Sequence, residues 1–252
     1  MEVPRLRIRR LALALTTALA VSLAAAPASA VVLGGVHQGF RLPLPAVVHR
    51  PAERLLLVSI ERDLEITARP GGGRILGTMP AGSRFYRTPT VAWVRRTSAD
   101  GRFGLVDVPY VAERRSGWIR LRGLERSWTR VRVTADLSDH RITVRRGSDV
   151  WFRAPAATGA AASPTPTGRY VVTDRVAFPG GGYLGTFAFG MSGIQPNLPA
   201  GWTGGDQLAI HGTNAPSTIG RSASAGCLRV SEEVLERLKP LLRLGTPVVV
   251  RT

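Results

Sequence analysis

Ile210-His211-Gly212-Thr213 and Ser224-Ala225-Gly226-Cys227-Leu228-Arg229, with Cys227 sixteen residues after His211, are the stretch on which the reading of this chain turns. Cys227 is the only cysteine among 252 residues, so it has no intramolecular disulfide partner. The N-terminus reads as an export signal, and a free thiol kept in an oxidising compartment points to nucleophilic chemistry. A thiol attacks as its thiolate, which calls for a neighbouring base or positive charge. His211 is the one histidine downstream of His140, and the two residues would meet in space rather than along the chain. Leu208-Ala209-Ile210-His211 reads as a short strand end, with Gly212 opening a turn. The competing reading makes Cys227 a small buried hydrophobe.

Three blocks carry a resemblance to a known family. His211-Gly212-Thr213, then Gly220, then Ser224-Ala225-Gly226-Cys227-Leu228-Arg229 resemble the signature of YkuD-type L,D-transpeptidase catalytic domains. Thr165-Pro166-Thr167-Gly168-Arg169-Tyr170 resembles a second family block, and Leu244-Gly245-Thr246-Pro247-Val248-Val249-Val250 resembles its final strand. The resemblance spans about residues 130–252. Ala225 departs from it, because the family often has histidine between the serine and the glycine.

The resemblance implies that Cys227 attacks the L,D-peptide bond between the third residue of a peptidoglycan stem and its terminal D-alanine. His211 would take the thiol proton and return a proton to the departing amine. The Gly212 carbonyl would orient the imidazole, and amides near Gly226 and Cys227 would form the oxyanion hole. An amine of a neighbouring stem would resolve the thioester as a 3→3 crosslink. The implied setting is cell-wall biogenesis and cell shape, with carbapenem sensitivity.

The remaining candidates each keep two readings. Arg229 either binds a carboxylate of the donor stem or pairs with a local carboxylate to hold the cysteine loop. Ser224 either bonds near the site or shapes the turn. Thr213 reads as a loop-holding hydroxyl, with substrate contact as the alternative. Tyr183, in Gly180-Gly181-Gly182-Tyr183-Leu184-Gly185, lines the cleft or packs beneath a loop.

Residues 1–30 read as a secretory signal: Arg5, Arg7, Arg9 and Arg10, an apolar run over 11–26, and Ala28-Ser29-Ala30. An uncleaved anchor is the alternative. Losing that segment removes four arginines and Glu2 and lowers the formal charge from +17 to +14. A chain this basic suits an anionic wall polymer or membrane surface. Nucleic acid is not expected, since no nucleic-acid motif accompanies the charge. No cofactor or metal is expected, because His37, His49 and His140 are scattered and no Cys/His cluster has zinc spacing. A secreted or wall-associated monomer is the resulting expectation.

Residues 31–52 carry Pro43, Pro45 and Pro51 without periodicity and read as a linker. Over 53–127, short apolar runs at Leu55–Ile60, Leu64–Thr67, Arg74–Thr78, Thr90–Val94, Phe103–Val108 and Gly117–Arg120 have the spacing of a small barrel. Ala68–Gly72 and Ser116–Ile119 resemble bacterial SH3-like domains, and nothing there reads as catalytic. The part from 130 opens with an alternating strand at Val131–Thr134, and further strands are expected at Arg141–Val144, Tyr170–Thr173 and Thr186–Phe189. One helix is expected from Ser231 to about Leu242, with Pro240 kinking or shortening it. The expected fold class is mainly β, and the resemblances imply an L,D-transpeptidase β-sandwich with one C-terminal helix, preceded by an SH3-like barrel. Rival functions are an L,D-carboxypeptidase or D-amino-acid exchange enzyme, and a wall-binding protein without activity.

Overall fold

The computed structural model describes residues 53–252; the signal read over 1–30 and the linker over 31–52 lie outside the described residues. All described residues fall in one compact unit, and its architecture is mainly β. No helix among them is long and apolar enough to cross a membrane.

The first eight strands are β1 (Leu55–Ile60), β2 (Leu64–Arg69), β3 (Gly72–Met79), β4 (Thr90–Val94), β5 (Arg96–Thr97), β6 (Phe103–Asp107), β7 (Ser116–Arg120) and β8 (Arg126–Thr129). Period-two burial makes them strands: Thr90, Ala92 and Val94 are buried while Val91 and Trp93 are half-buried. A sheet ordered β4-β1-β8 and another ordered β3-β2-β7-β6-β5 share a core containing Val58, Ile66, Val94, Ile119 and Leu121. Between β3 and β4 the chain makes a loop that bears on the candidate site.

The second half holds β9 (Val131–Asp136), β10 (Arg141–Arg146), β11 (Asp149–Pro155), β12 (Thr158–Gly159), β13 (Gly168–Ala177), β14 (Phe187–Ile194), β15 (Gln207–His211), β16 (Ser222–Ser224), β17 (Leu228–Arg229) and β18 (Pro247–Arg251). Eight of these make one sheet in the order β11-β10-β9-β18-β13-β14-β15-β17. Strand β18 runs parallel to β9 and antiparallel to β13. The sheet curls until its ends share one core, which holds Phe152 of β11 together with Leu228 of β17.

Helix α1 (Glu232–Leu238) closes that core with Val234, Leu235 and Leu238. The Ser231 side chain caps it by accepting the Val234 N–H at 3.3 Å, and Glu232 and Glu233 oppose the positive end of its dipole. The helix stops at Leu238, four residues short of the expected end. Pro240 has no N–H to give the Glu236 carbonyl, so the regular turn cannot continue. Leu242 is nonetheless fully buried, so the apolar stripe outlasts the helix that the pattern implied.

Candidate active site

Strand β15 divides its side chains between two environments. Leu208 and Ile210 are fully buried in the core, while Gln207, Ala209 and His211 line a cleft of about 330 Å³. Strand β17 lies parallel to it, pairing Ile210 with Leu228 and His211 with Arg229. Cys227, just before Leu228, therefore falls beside Ala209 and lines the same cleft, diagonal to His211. The intervening chain detours through a 3-10 turn at Pro216–Thr218 and through β16, which pairs with β12. The sixteen-residue gap is thus closed by a parallel strand pair. The Cys227 thiol makes a long contact, 3.9 Å, to the Gln207 carbonyl.

His211 is almost wholly buried, and its Nδ1 lies 2.6 Å from the Gly212 carbonyl. A carbonyl can only accept, so Nδ1 carries the proton and Nε2 is left as the basic nitrogen. Burial outweighs that hydrogen bond, and the Arg229 cation adds repulsion. Together they lower the imidazole to about 4. Desolvation likewise pushes the Cys227 thiol up, against the opposing pull of an Ala209 backbone contact and Arg229. At neutral pH the pair is thiol and neutral imidazole, so a proton must move to His211 as Cys227 attacks.

The turn carrying Cys227 is held from within. Ser224 Oγ accepts the Gly226 N–H at 3.0 Å and donates to the Cys227 carbonyl at 2.6 Å. Gly226 has φ +117, and a Cβ there would drive into the Gln195 side chain. Gln195, itself buried, is fixed by donating to the carbonyls of Ser163 at 3.1 Å and Pro164 at 3.0 Å. One expectation changes: the Gly226 amide is occupied by Ser224, so it is not free for an oxyanion. No hydrogen bond of the Cys227 amide is found among the described residues.

Arg229 is buried and pairs with no carboxylate among the described residues. Its guanidinium lies 4.8 Å from the centre of the Tyr183 ring and donates to the Tyr183 hydroxyl, while Nε is unpartnered. Tyr183 lines the cleft and sits 6.1 Å, centre to centre, from His211. Arg229 therefore stands behind Tyr183 rather than on the cleft wall. No carboxylate among the described residues meets the local-pairing reading of Arg229, and the Glu232 carboxylate is engaged at the glycine-rich loop. It accepts the Thr186 N–H at 3.2 Å and the Thr186 hydroxyl, fastening the end of the glycine-rich loop to α1. Gly185 and Gly212 pass so closely beside Glu232 that neither position has room for a side chain. Thr213 holds its own turn, its hydroxyl accepting the Ala215 N–H at 3.0 Å. Among the described residues, no three His, Cys, Asp or Glu side chains gather as metal ligands would.

Other residues at the site carry no sequence signal. Phe85 and Tyr86, from the β3–β4 loop, line the cleft together with Trp202. Asp174 is fully buried and accepts from Thr173 at 2.8 Å, Gln207 at 3.1 Å, Ser83 at 2.5 Å and Thr88 at 2.8 Å. The last two donors come from that same loop.

Residues 130–250 match the YkuD family model, described as the L,D-transpeptidase catalytic domain. The chain is 26% identical to YkuD of Bacillus subtilis (strain 168) over 118 residues, covering 47% of this chain and 64% of that protein. It is 32% identical to YkuD of Bacillus licheniformis over 94 residues, covering 37% and 49%. The matches thus span about half to under two thirds of those relatives' lengths. An L,D-transpeptidase structure from Mycobacterium tuberculosis H37Rv aligns at 16% identity and TM-score 0.42, covering 66% of this chain and 91% of that one.

Proposed function

We propose, from the premise that residues 130–250 form a YkuD L,D-transpeptidase catalytic domain, that the chain is a cysteine transpeptidase acting on peptidoglycan stems. The observation that carries this reading is the Cys227–His211 pair facing one cleft, with the His211 Nδ1 proton committed to Gly212. As Cys227 Sγ attacks the carbonyl carbon before the terminal D-alanine, its proton passes to His211 Nε2. The tetrahedral intermediate collapses, the C–N bond breaks, and His211 protonates the leaving amine. A thioester remains on Cys227. The side-chain amine of a second stem attacks it, His211 takes that amine's proton, and the new amide leaves as a 3→3 crosslink while the thiol is restored. The Cys227 amide is the group best disposed to meet the oxyanion. Arg229 favours the thiolate through its charge and steadies Tyr183. Contact with a substrate carboxylate requires Tyr183 to swing aside. Ser224 and Gly226 hold the nucleophile's turn, and Thr213 holds the turn after His211.

The proposal extends to an exported protein working at the cell wall as a monomer, without cofactor or nucleic acid. Its basic surface attracts anionic wall polymers, and residues 53–127 serve as an SH3-like module. The test is incubation of the protein, and of Cys227→Ala, with a carbapenem and with a disaccharide-tetrapeptide, read by intact and product mass. A covalent adduct and a 3→3 dimer with the native protein alone are expected. Tripeptide without dimer moves the activity to an L,D-carboxypeptidase. Neither adduct nor product from folded protein sinks the enzymatic reading and leaves a wall-binding protein.

A further inference from the structure

The loop between β3 and β4 does more than connect strands. It closes on itself, with the Ser83 N–H on the Thr88 carbonyl at 2.8 Å and the Thr88 N–H on Ser83 Oγ at 3.1 Å. Two anchors fix it to the C-terminal sheet. Ser83 and Thr88 donate to the buried Asp174 carboxylate, and Arg84 grips Asp206 through both oxygens at 2.8 and 2.9 Å. Held between these anchors, Phe85 and Tyr86 stand half-exposed on the cleft wall, at 50% and 54% of full exposure. Rings serving only to pack would be buried. Rings kept open on a preformed, doubly anchored loop have the character of a binding surface whose ordering cost is already met.

Position and charge say what such a surface would take. The Phe85 ring lies against Gly205, 3.6 Å from where its Cβ would be. Gly205 is two residues before Gln207, whose carbonyl is 3.9 Å from the Cys227 sulfur. Phe85 and Tyr86 line the same cleft as Cys227, so a stem whose acyl carbon lies at the sulfur can run on past the rings. On the acyl side of the proposed scissile bond a stem has three residues, and beyond them comes the sugar that bears it. Arg84 lies 5.2 Å from the centre of the Phe85 ring while paired with Asp206, and the exposed Arg87 follows Tyr86 in the chain. The platform therefore sets aromatic faces beside a paired arginine and aspartate, a combination suited to the C–H face of a pyranose and to its hydroxyls.

We infer that Phe85 and Tyr86 form a sugar-stacking subsite, contributed by the β3–β4 loop to the catalytic cleft, that makes the protein prefer glycan-bearing stems over free stem peptides. The inference rests on the transpeptidase reading for the identity of the substrate, but its test does not need turnover. Binding of a disaccharide-tetrapeptide and of the free tetrapeptide is measured calorimetrically on Cys227→Ala protein, with and without Phe85→Ala and Tyr86→Ala together. The glycan-bearing ligand should bind roughly tenfold more tightly than the free peptide, and the double substitution should bring that ratio near one. Thermal melting of the double variant controls for folding, and Phe85→Tyr with Tyr86→Phe, which keeps both rings, should restore the preference. A ratio near one before substitution, or a ratio unmoved by it, overturns the inference. Failure of Cys227 to form adduct or product overturns the catalytic reading instead, and leaves the binding ratio to decide this one.

Discussion

At His211 a small set of contacts decides both chemistry and pH response. Folding lowers the imidazole to about 4, against an ordinary value near 6.5, chiefly because the ring is desolvated. The unfolded chain therefore binds a proton between those values that the folded chain refuses. The stability contribution is complete above pH 6.5 and is lost as pH falls through 4, to an extent of about 3 kcal/mol. Urea unfolding at pH 7 and pH 4 should show that loss, and His211→Gln should flatten it. Cys227 responds on the alkaline side. Its raised thiol predicts that iodoacetamide labelling accelerates above the pH range of an ordinary thiol. Arg229→Ala, by removing the neighbouring cation, should push that onset higher still. Gly226→Ala combines a disfavoured φ of +117 with the obstructing Gln195 side chain. Displacing the nucleophile this way should cut the turnover rate on the order of a hundredfold, measured as D-alanine release.

Among the elements, α1 and the loop over Tyr183 set what the site can tolerate. Leu235 is fully buried in the core behind β15 and β17. Leu235→Ala should cost about 3 kcal/mol in chemical denaturation. Glu232→Ala frees Thr186, so limited proteolysis within 178–186 should quicken while the melting temperature changes little. The strand limits Leu55–Ile60 and Thr90–Val94 are legible in the sequence because apolar and β-branched runs end there in charged residues, Glu61-Arg62 after the first and Arg95-Arg96 after the second. Strand β11 is not legible, because Asp149, Arg153 and Trp151 place charge and an exposed ring on its outer face and leave only Phe152 and Ala154 as buried residues. The proximity of His211 and Cys227 is suggested by their motifs. The contact between Tyr183 and Arg229 spans 46 residues and leaves no local pattern. Gln195 and Asp174 escape notice for a related reason: a polar residue reads as surface until its partners are assembled by the fold.

Taken as a whole, the molecule ties its two halves through polar groups more than through a shared core. Asp174 is the plainest case, for two of its hydrogen-bond donors belong to the β3–β4 loop. A fragment beginning at residue 130 would lose Ser83 and Thr88 and leave that carboxylate under-satisfied. It should melt lower than the 53–252 chain and unfold with a deficit of roughly 2–4 kcal/mol. Asp174→Asn in the longer chain should also destabilise, since the amide replaces one accepting oxygen with a donor that faces other donors.

The placement of β18 has a consequence for how this protein comes into being. It alone joins β9 to β13 in the ladder of hydrogen bonds, so before residues 247–251 are in place the two wings of the large sheet meet only where β12 pairs with β16 and Ala157 with Arg229. A nascent chain leaving the ribosome carries both wings, with the thiol and imidazole already synthesised, yet lacks the strand that unites them. Pairings between residues so far apart in sequence also form slowly. The central ladder behind the nucleophile's strands is thus completed only when residues 247–251 pair with both wings.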